Sequence, residues 1–304
     1  MRRSPFILII PILLLGFVGC TPVIQTLATA QEVGDPKYGI TYYVGGAGPV
    51  GHVGSWDVPR GLADAGYRGL VEVFPWQSIT HAGDQMNLAR NREKAGELAE
   101  RIRRYRRKYA WQEVNIIALS AGTGVATFAI EYLPETVKVN RVIYLGCSMS
   151  SRYDLTRALK RISGGLYVLY SPHDRILRDV VWYTGTVDRN SATEGVAGLE
   201  GFRPPNRRPD TESQYAKVFN VAYRDEFTLA GYGGGHTDST RRDFVRDYLA
   251  DVIMNNDRRL LGPDHRRTPW QRRDSEIDDD RPRSRAAESP ANPPSDSSRT
   301  SSRG

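Results

Sequence analysis

The sequence is poor in sulfur: Cys20 and Cys147 are its only cysteines in 304 residues. Two cysteines cannot build a disulfide framework, and they exclude every multi-cysteine zinc pattern. There is no HExxH and no aspartate–histidine pair at ligand spacing, so no metal site is read and no cofactor is expected. No apolar run reaches the ~20 residues that a membrane-spanning helix needs. No repeat of fixed period is visible. Histidine is scarce too, with five in the chain, which shortens the list of candidate general bases.

What is present suffices for a packed core. Hydrophobic residues make up 39% and charged residues 25%, which excludes collagen-like, wholly disordered and polytopic membrane classes. The formal charge of +7 permits nucleic acid or an anionic membrane as partner without choosing between them.

Both ends read as lying outside the fold. Met1, Arg2 and Arg3 precede an apolar run from Phe6 to Val18, the pattern of an export signal over 1–19. The segment Phe17-Val18-Gly19-Cys20 resembles a bacterial lipobox, which implies that Cys20 is lipidated and becomes the mature N-terminus. An ordinary cleaved signal and an uncleaved anchor are the alternatives. Export to the cell envelope argues against nucleic acid as a partner. Residues 20–37 are small and polar and suit a tether, and 262–304, rich in Pro, Ser, Asp and Arg, cannot bury enough to offset its ordering entropy.

The span 38–261 alternates strand and helix patterns. Strands are expected at 39–44, 70–74, 114–119, 142–145, 166–170 and 218–222, with helices at 56–65, 91–109, 120–132, 155–162 and 244–254. Strands apolar on both faces and separated by helices predict an α/β fold, a mostly parallel sheet covered on both sides. Only one helix fits between the fourth and fifth strands, so no large cap domain is expected there. The long piece 185–217 is expected to border the site as a partial lid.

The most informative segment is Ala118-Leu119-Ser120-Ala121-Gly122-Thr123-Gly124, an apolar strand running straight into an apolar helix. A serine there sits on a sharp turn above the sheet's carboxyl edge, although a plain serine N-cap gives the same local pattern. The segment resembles the nucleophile elbow G-x-S-x-G of the α/β-hydrolase family, with Ala118 in place of the first glycine. In that family the chain order is serine, acid, histidine. Here Asp174 follows the fifth strand, and His236 lies in the glycine-rich loop 231–237 after the sixth. The resemblance spans 38–261 and implies a Ser120–His236–Asp174 triad acting on an ester or related acyl bond.

Rivals exist for each role. Asp154 follows the fourth strand and is the alternative acid, with Asp188 and Asp225 more remote. His52 and His81 fall in loops after strands, His173 is expected to face away from Asp174, and His265 belongs to the tail. The oxyanion hole implied by the resemblance uses the backbone N–H groups of Ala121 and Ala47. The loop holding Ala47, Gly46-Ala47-Gly48-Pro49-Val50-Gly51, also fits G-x-G-x-x-G, the dinucleotide pattern, but the next strand lacks an acid at its end for the ribose. The arginines of 101–108 read as a solvated helix face, with an anionic membrane or polymer contact as the lesser reading. Trp56, Trp76 and Trp182 either line an acyl pocket or pack in the core.

Together these readings describe an exported, lipid-anchored serine hydrolase with a small-molecule or lipid-like acyl substrate. Stretches such as GLADAGYRG and SPHDRIL resemble bacterial envelope members of the family. The reading from another class is a non-catalytic scaffold that keeps the fold for binding.

Overall fold

A computed structural model describes residues 33–48, 51–77, 87–181, 185–189 and 195–262. The expected export segment, Cys20, most of the tether, His81, Trp182 and the tail beyond Gly262 lie outside the described residues.

Six strands form one sheet: β1 (Ile40–Val44), β2 (Leu70–Val73), β3 (Val114–Leu119), β4 (Val139–Leu145), β5 (Ile162–Tyr170) and β6 (Val218–Ala222). Their order is β2-β1-β3-β4-β5-β6, and every neighbouring pair is parallel. One register row crosses Tyr43, Ile117, Ile143, Tyr167 and Phe219. The residues of that row belong to the core on one face, and those one position earlier, such as Tyr42, Ile116 and Val142, belong to the core on the other. This alternation explains the unbroken apolar runs: both faces are buried.

Helix α1 (Asp57–Asp64) and the closing helical run Arg242–Phe244, Val245–Leu249 and Ala250–Ile253 cover one face through Val58, Leu62, Phe244 and Leu249. On the other face, α2 (Leu88–Lys108) and α3 (Gly122–Tyr132) contribute Leu98, Ile102, Val125 and Ala129. The fold is thus α/β with a parallel sheet covered on both sides. Strand order reverses between β1 and β3, and a ligand crevice belongs at the carboxyl end of such a switch point.

Some boundaries differ from expectation. β4 and β5 begin earlier than 142 and 166, and the helix between them shrinks to Thr156–Leu159. Ser163-Gly164-Gly165 has turn chemistry, yet it continues a strand because Gly165 lies flat against Phe219, where a Cβ would stand 2.9 Å from the ring. The chain also joins the fold before residue 38. Val33 bridges Val71, and the Asp35 N–H bonds the Arg68 carbonyl at 3.0 Å.

The described parts of 185–217 are built into the sheet's carboxyl edge. Ala197 and Gly198 donate to the carbonyls of Met149 and Cys147, and Ser171 donates to Gly198. The segment therefore threads between the ends of β4 and β5 as a wall, with Val187, Val196 and Phe202 buried.

Candidate active site

Ser120 stands between the last residue of β3 and the start of α3, with φ of 54°, a left-handed conformation that side-chain-bearing residues rarely adopt. Holding it costs about 1–2 kcal/mol, and local bonds offset this. The Ser120 N–H donates to Leu145 O at 2.9 Å, and its carbonyl accepts from the Thr123 N–H and Oγ1 at 3.0 and 2.6 Å. The N-cap of α3 is Ala121, without a side-chain cap, and the Ser120 hydroxyl bonds no described residue. The serine is therefore not acting as a helix cap.

Gly122 makes the turn compatible with the neighbouring strand. A Cβ there would fall inside contact distance of the Val44 and Gly45 carbonyl oxygens. This close approach brings the loop after β1 against the serine turn. Trp76 Nε1 donates to Gly45 O at 2.7 Å, and Gln77 Nε2 donates to Gly46 O and Gly51 O at 3.0 Å. Trp76 is thus fully buried and pins the loop, while Trp182 lies outside the described residues. Among the described residues, neither the Ala47 nor the Ala121 N–H has an acceptor.

Asp174 and His236 are in direct contact. His236 Nδ1 lies 2.7 Å from Asp174 Oδ2, with both side chains almost fully buried. The second carboxylate oxygen, Oδ1, accepts from the Leu177 N–H at 3.0 Å. With Nδ1 against a carboxylate, the ring proton sits there and Nε2 is left as an acceptor. Nε2 is buried and has no hydrogen-bond partner among the described residues, so no Ser120–His236 hydrogen bond is formed. The two residues nevertheless converge on the end of β4. Ser120 bonds the Leu145 carbonyl, and a Cβ on the next residue, Gly146, would stand 2.9 Å from His236 Nδ1.

The rivals are placed elsewhere. Asp154 Oδ1 accepts from the Thr156 N–H at 2.9 Å as a local turn, Asp188 Oδ1 accepts from the Ser150 N–H, and Asp225 is exposed. His173 is exposed and stacks edge-on to Tyr223. Glu72 lies within β2 and is paired with Arg101 rather than open at the strand's end, which leaves the glycine pattern without its ribose acid. Cys147 lies behind the serine turn, its thiol 3.3 Å from Thr123 Oγ1. Burial pushes that thiol up to about 12, so it is no rival nucleophile.

Two contributors escape a reading of the sequence. The Leu177 amide is invisible because any residue supplies one. Gly146, with φ of 49°, could have been flagged as a glycine at a strand's carboxyl end beside a close contact. Gly146→Ala is expected to lower turnover about 100-fold through a displaced imidazole. It should lower the melting temperature too, because a side chain at φ of 49° is strained and its Cβ would stand 3.0 Å from the His236 carbonyl oxygen. Steady-state kinetics beside thermal denaturation check this, and unchanged kcat would remove Gly146 from the site.

No protein-family model matches the sequence, and no curated protein does. Solved structures with some likeness include lipase B of Aspergillus fumigatus, at 14% identity and a TM-score of 0.42, covering 72% of this chain and 52% of that one. Esterase PE8 is 9% identical with a TM-score of 0.43, over 74% and 96% of the two chains. Carboxylesterase CesB of Bacillus subtilis is 8% identical with a TM-score of 0.38, over 74% and 87%. This chain thus spans about half the length of the Aspergillus lipase. Likenesses this remote carry no argument about chemistry.

Proposed function

We propose that this protein is a serine hydrolase acting on ester or related acyl bonds. The single observation that carries the reading is the His236 imidazole, fixed at Nδ1 by a buried carboxylate and open at Nε2, beside a serine held in a strained turn. Ser120 Oγ attacks the acyl carbon as Nε2 takes its proton. Asp174 orients the ring and stabilises the imidazolium. The oxyanion forms toward the Ala47 and Ala121 N–H groups, and the leaving group departs with the proton from Nε2. Water then repeats the cycle on the acyl-enzyme and frees Ser120. The Nε2–Oγ hydrogen bond forms as substrate binds, since catalytic hydrogen bonds are often long or unmade before that.

The same proposal places the protein in the cell envelope, exported by the Met1–Gly19 segment and held through Cys20. This rests on the residues alone.

The test is labelling with a fluorophosphonate probe. The folded full-length chain is expected to be labelled, and Ser120→Ala to lose the label. A folded wild-type chain that stays unlabelled would favour the scaffold reading.

A further inference from the structure

The end of the sheet away from Ser120 carries a different chemistry. All six strands are parallel, so their amino ends share one edge. The sequence holds six lysines; four of them, Lys37, Lys138, Lys160 and Lys217, stand just before a strand, and Lys108 ends α2 ahead of the turn into β3. Arg68 takes that place before β2. The sixth lysine, Lys94, lies within α2 and pairs with Glu97. Lysine in this chain therefore follows the edge rather than the surface at large.

Two aromatic side chains share the edge. Trp111, in the turn from α2 to β3, is 94% exposed. Tyr38, just before β1, is 42% exposed, and the Arg68 and Lys37 cations lie 3.8 and 4.9 Å from its ring centre. A tryptophan so exposed contributes no burial to the fold, whereas an aromatic ring among cations suits a lipid headgroup layer.

Not all of this charge is free. Lys37 pairs with Asp35 at 2.8 Å, Lys138 Nζ donates to Lys160 O at 2.6 Å, and Lys217 Nζ donates to Ile162 O at 3.0 Å. The carboxylates nearby are also engaged, Glu113 accepting from Asn255 and Asp257 from the Tyr167 hydroxyl. Lys108 and Lys160 are exposed, and no acid faces either in an ion pair among the described residues.

The chain reaches the domain at this same edge, through Val33 beside Val71. Between Cys20 and Val33 lie only residues 21–32, a length that even at full extension reaches no more than about 47 Å.

We infer that this amino edge is a docking face for an anionic lipid bilayer. Trp111 and Tyr38 seat among the headgroups, and the lysines lie over the phosphates. The orientation turns Ser120, Asp174 and His236 away from the bilayer, so the site would be filled from the aqueous side. The inference stands whether or not Ser120 is a nucleophile.

Vesicle sedimentation of the full chain carrying Cys20→Ala tests it, because the apolar N-terminal run is then common to every variant. Vesicles are phosphatidylcholine with or without phosphatidylglycerol, at low and high salt. Binding is expected to favour the anionic vesicles and to fall at high salt. Each lysine near such a surface is worth about fivefold, so Lys108→Ala with Lys160→Ala should lower partitioning about 25-fold. Trp111→Ala should weaken it further and remove a blue shift in tryptophan emission. All these side chains are exposed, so circular dichroism should show an unchanged fold. Unaltered anionic preference in both variants would overturn the inference. So would tight binding of soluble polyphosphate without binding of vesicles, which would assign the face to a polymer.

Discussion

Ser120→Ala is expected to lower turnover of a reactive acyl ester by a factor of about 10⁴–10⁶, and adding His236→Ala should cost almost nothing more. The non-additivity is the sharper half. If Ser120 and His236 act as one unit, each is useless without the other, and the second deletion removes nothing that still works. If instead His236 merely holds its loop in place, its loss should be felt equally with or without the serine. Asp174→Asn separates orientation from fold. The amide oxygen can still accept from the Leu177 N–H at the position now 3.0 Å away. Its NH₂ then meets Nδ1 and forces the ring proton onto Nε2, so the imidazole can no longer accept from Ser120. A loss near 10⁴ is expected with a nearly unchanged melting curve. Single and double variants assayed on one substrate, with active-site titration to remove differences in folded fraction, decide the matter. Losses that multiply would end the triad account.

Much of the sheet was legible because each strand is a short apolar run that must be hidden on both faces. β3 and β6 match their expected bounds residue for residue. Where reading failed, tertiary contact outweighed local chemistry. Ser163-Gly164-Gly165 looks like a turn until Phe219 lies over it, and Asn140 and Arg141 extend β4 because Asn140 Oδ1 accepts from the Val114 N–H and Asn115 Oδ1 from the Arg141 N–H. The choice of acid could not be made from order alone, since Asp154 and Asp174 both follow strands. The turns they belong to separate the two in geometry. Asp154 spends its carboxylate on its own backbone two residues on, whereas Asp174 uses one oxygen locally and leaves the other for a histidine 62 positions away.

The two ends of the sheet also differ in how they are made. At the carboxyl edge, glycines let backbone and imidazole approach, and the polar groups are buried and few. The amino edge has lysines, arginine and bare aromatic rings. Parallel strands enforce this separation, because every loop at one end follows a strand and every loop at the other precedes one. If the proposed anchoring at Cys20 holds, a chain joining the fold at Val33 carries Ser120, Asp174 and His236 on the far side of the domain from the anchor.

Glycine substitutions at two helical positions should move stability in opposite directions. At Gly122 a methyl group meets the Val44 and Gly45 carbonyls, backbone that can yield only by moving β1 away from α3. Gly122→Ala is expected to cost about 2–3 kcal/mol, or a melting temperature lower by roughly 2–4 °C for each kcal/mol in a domain of this size. At Gly96, within α2, nothing lies within 4 Å of an added Cβ. Gly96→Ala should therefore gain about 0.5–1 kcal/mol from helix propensity and the smaller entropy of the unfolded chain. The pair also divides stability from chemistry. Gly96→Ala should leave kcat unchanged. Gly122→Ala should lower it about 100-fold even well below its melting temperature, because the Ala47 loop is pushed off the serine turn and its N–H no longer meets the developing oxyanion. A Gly122→Ala chain as stable and as active as the parent would show that the close approach of α3 to β1 is not what builds the site.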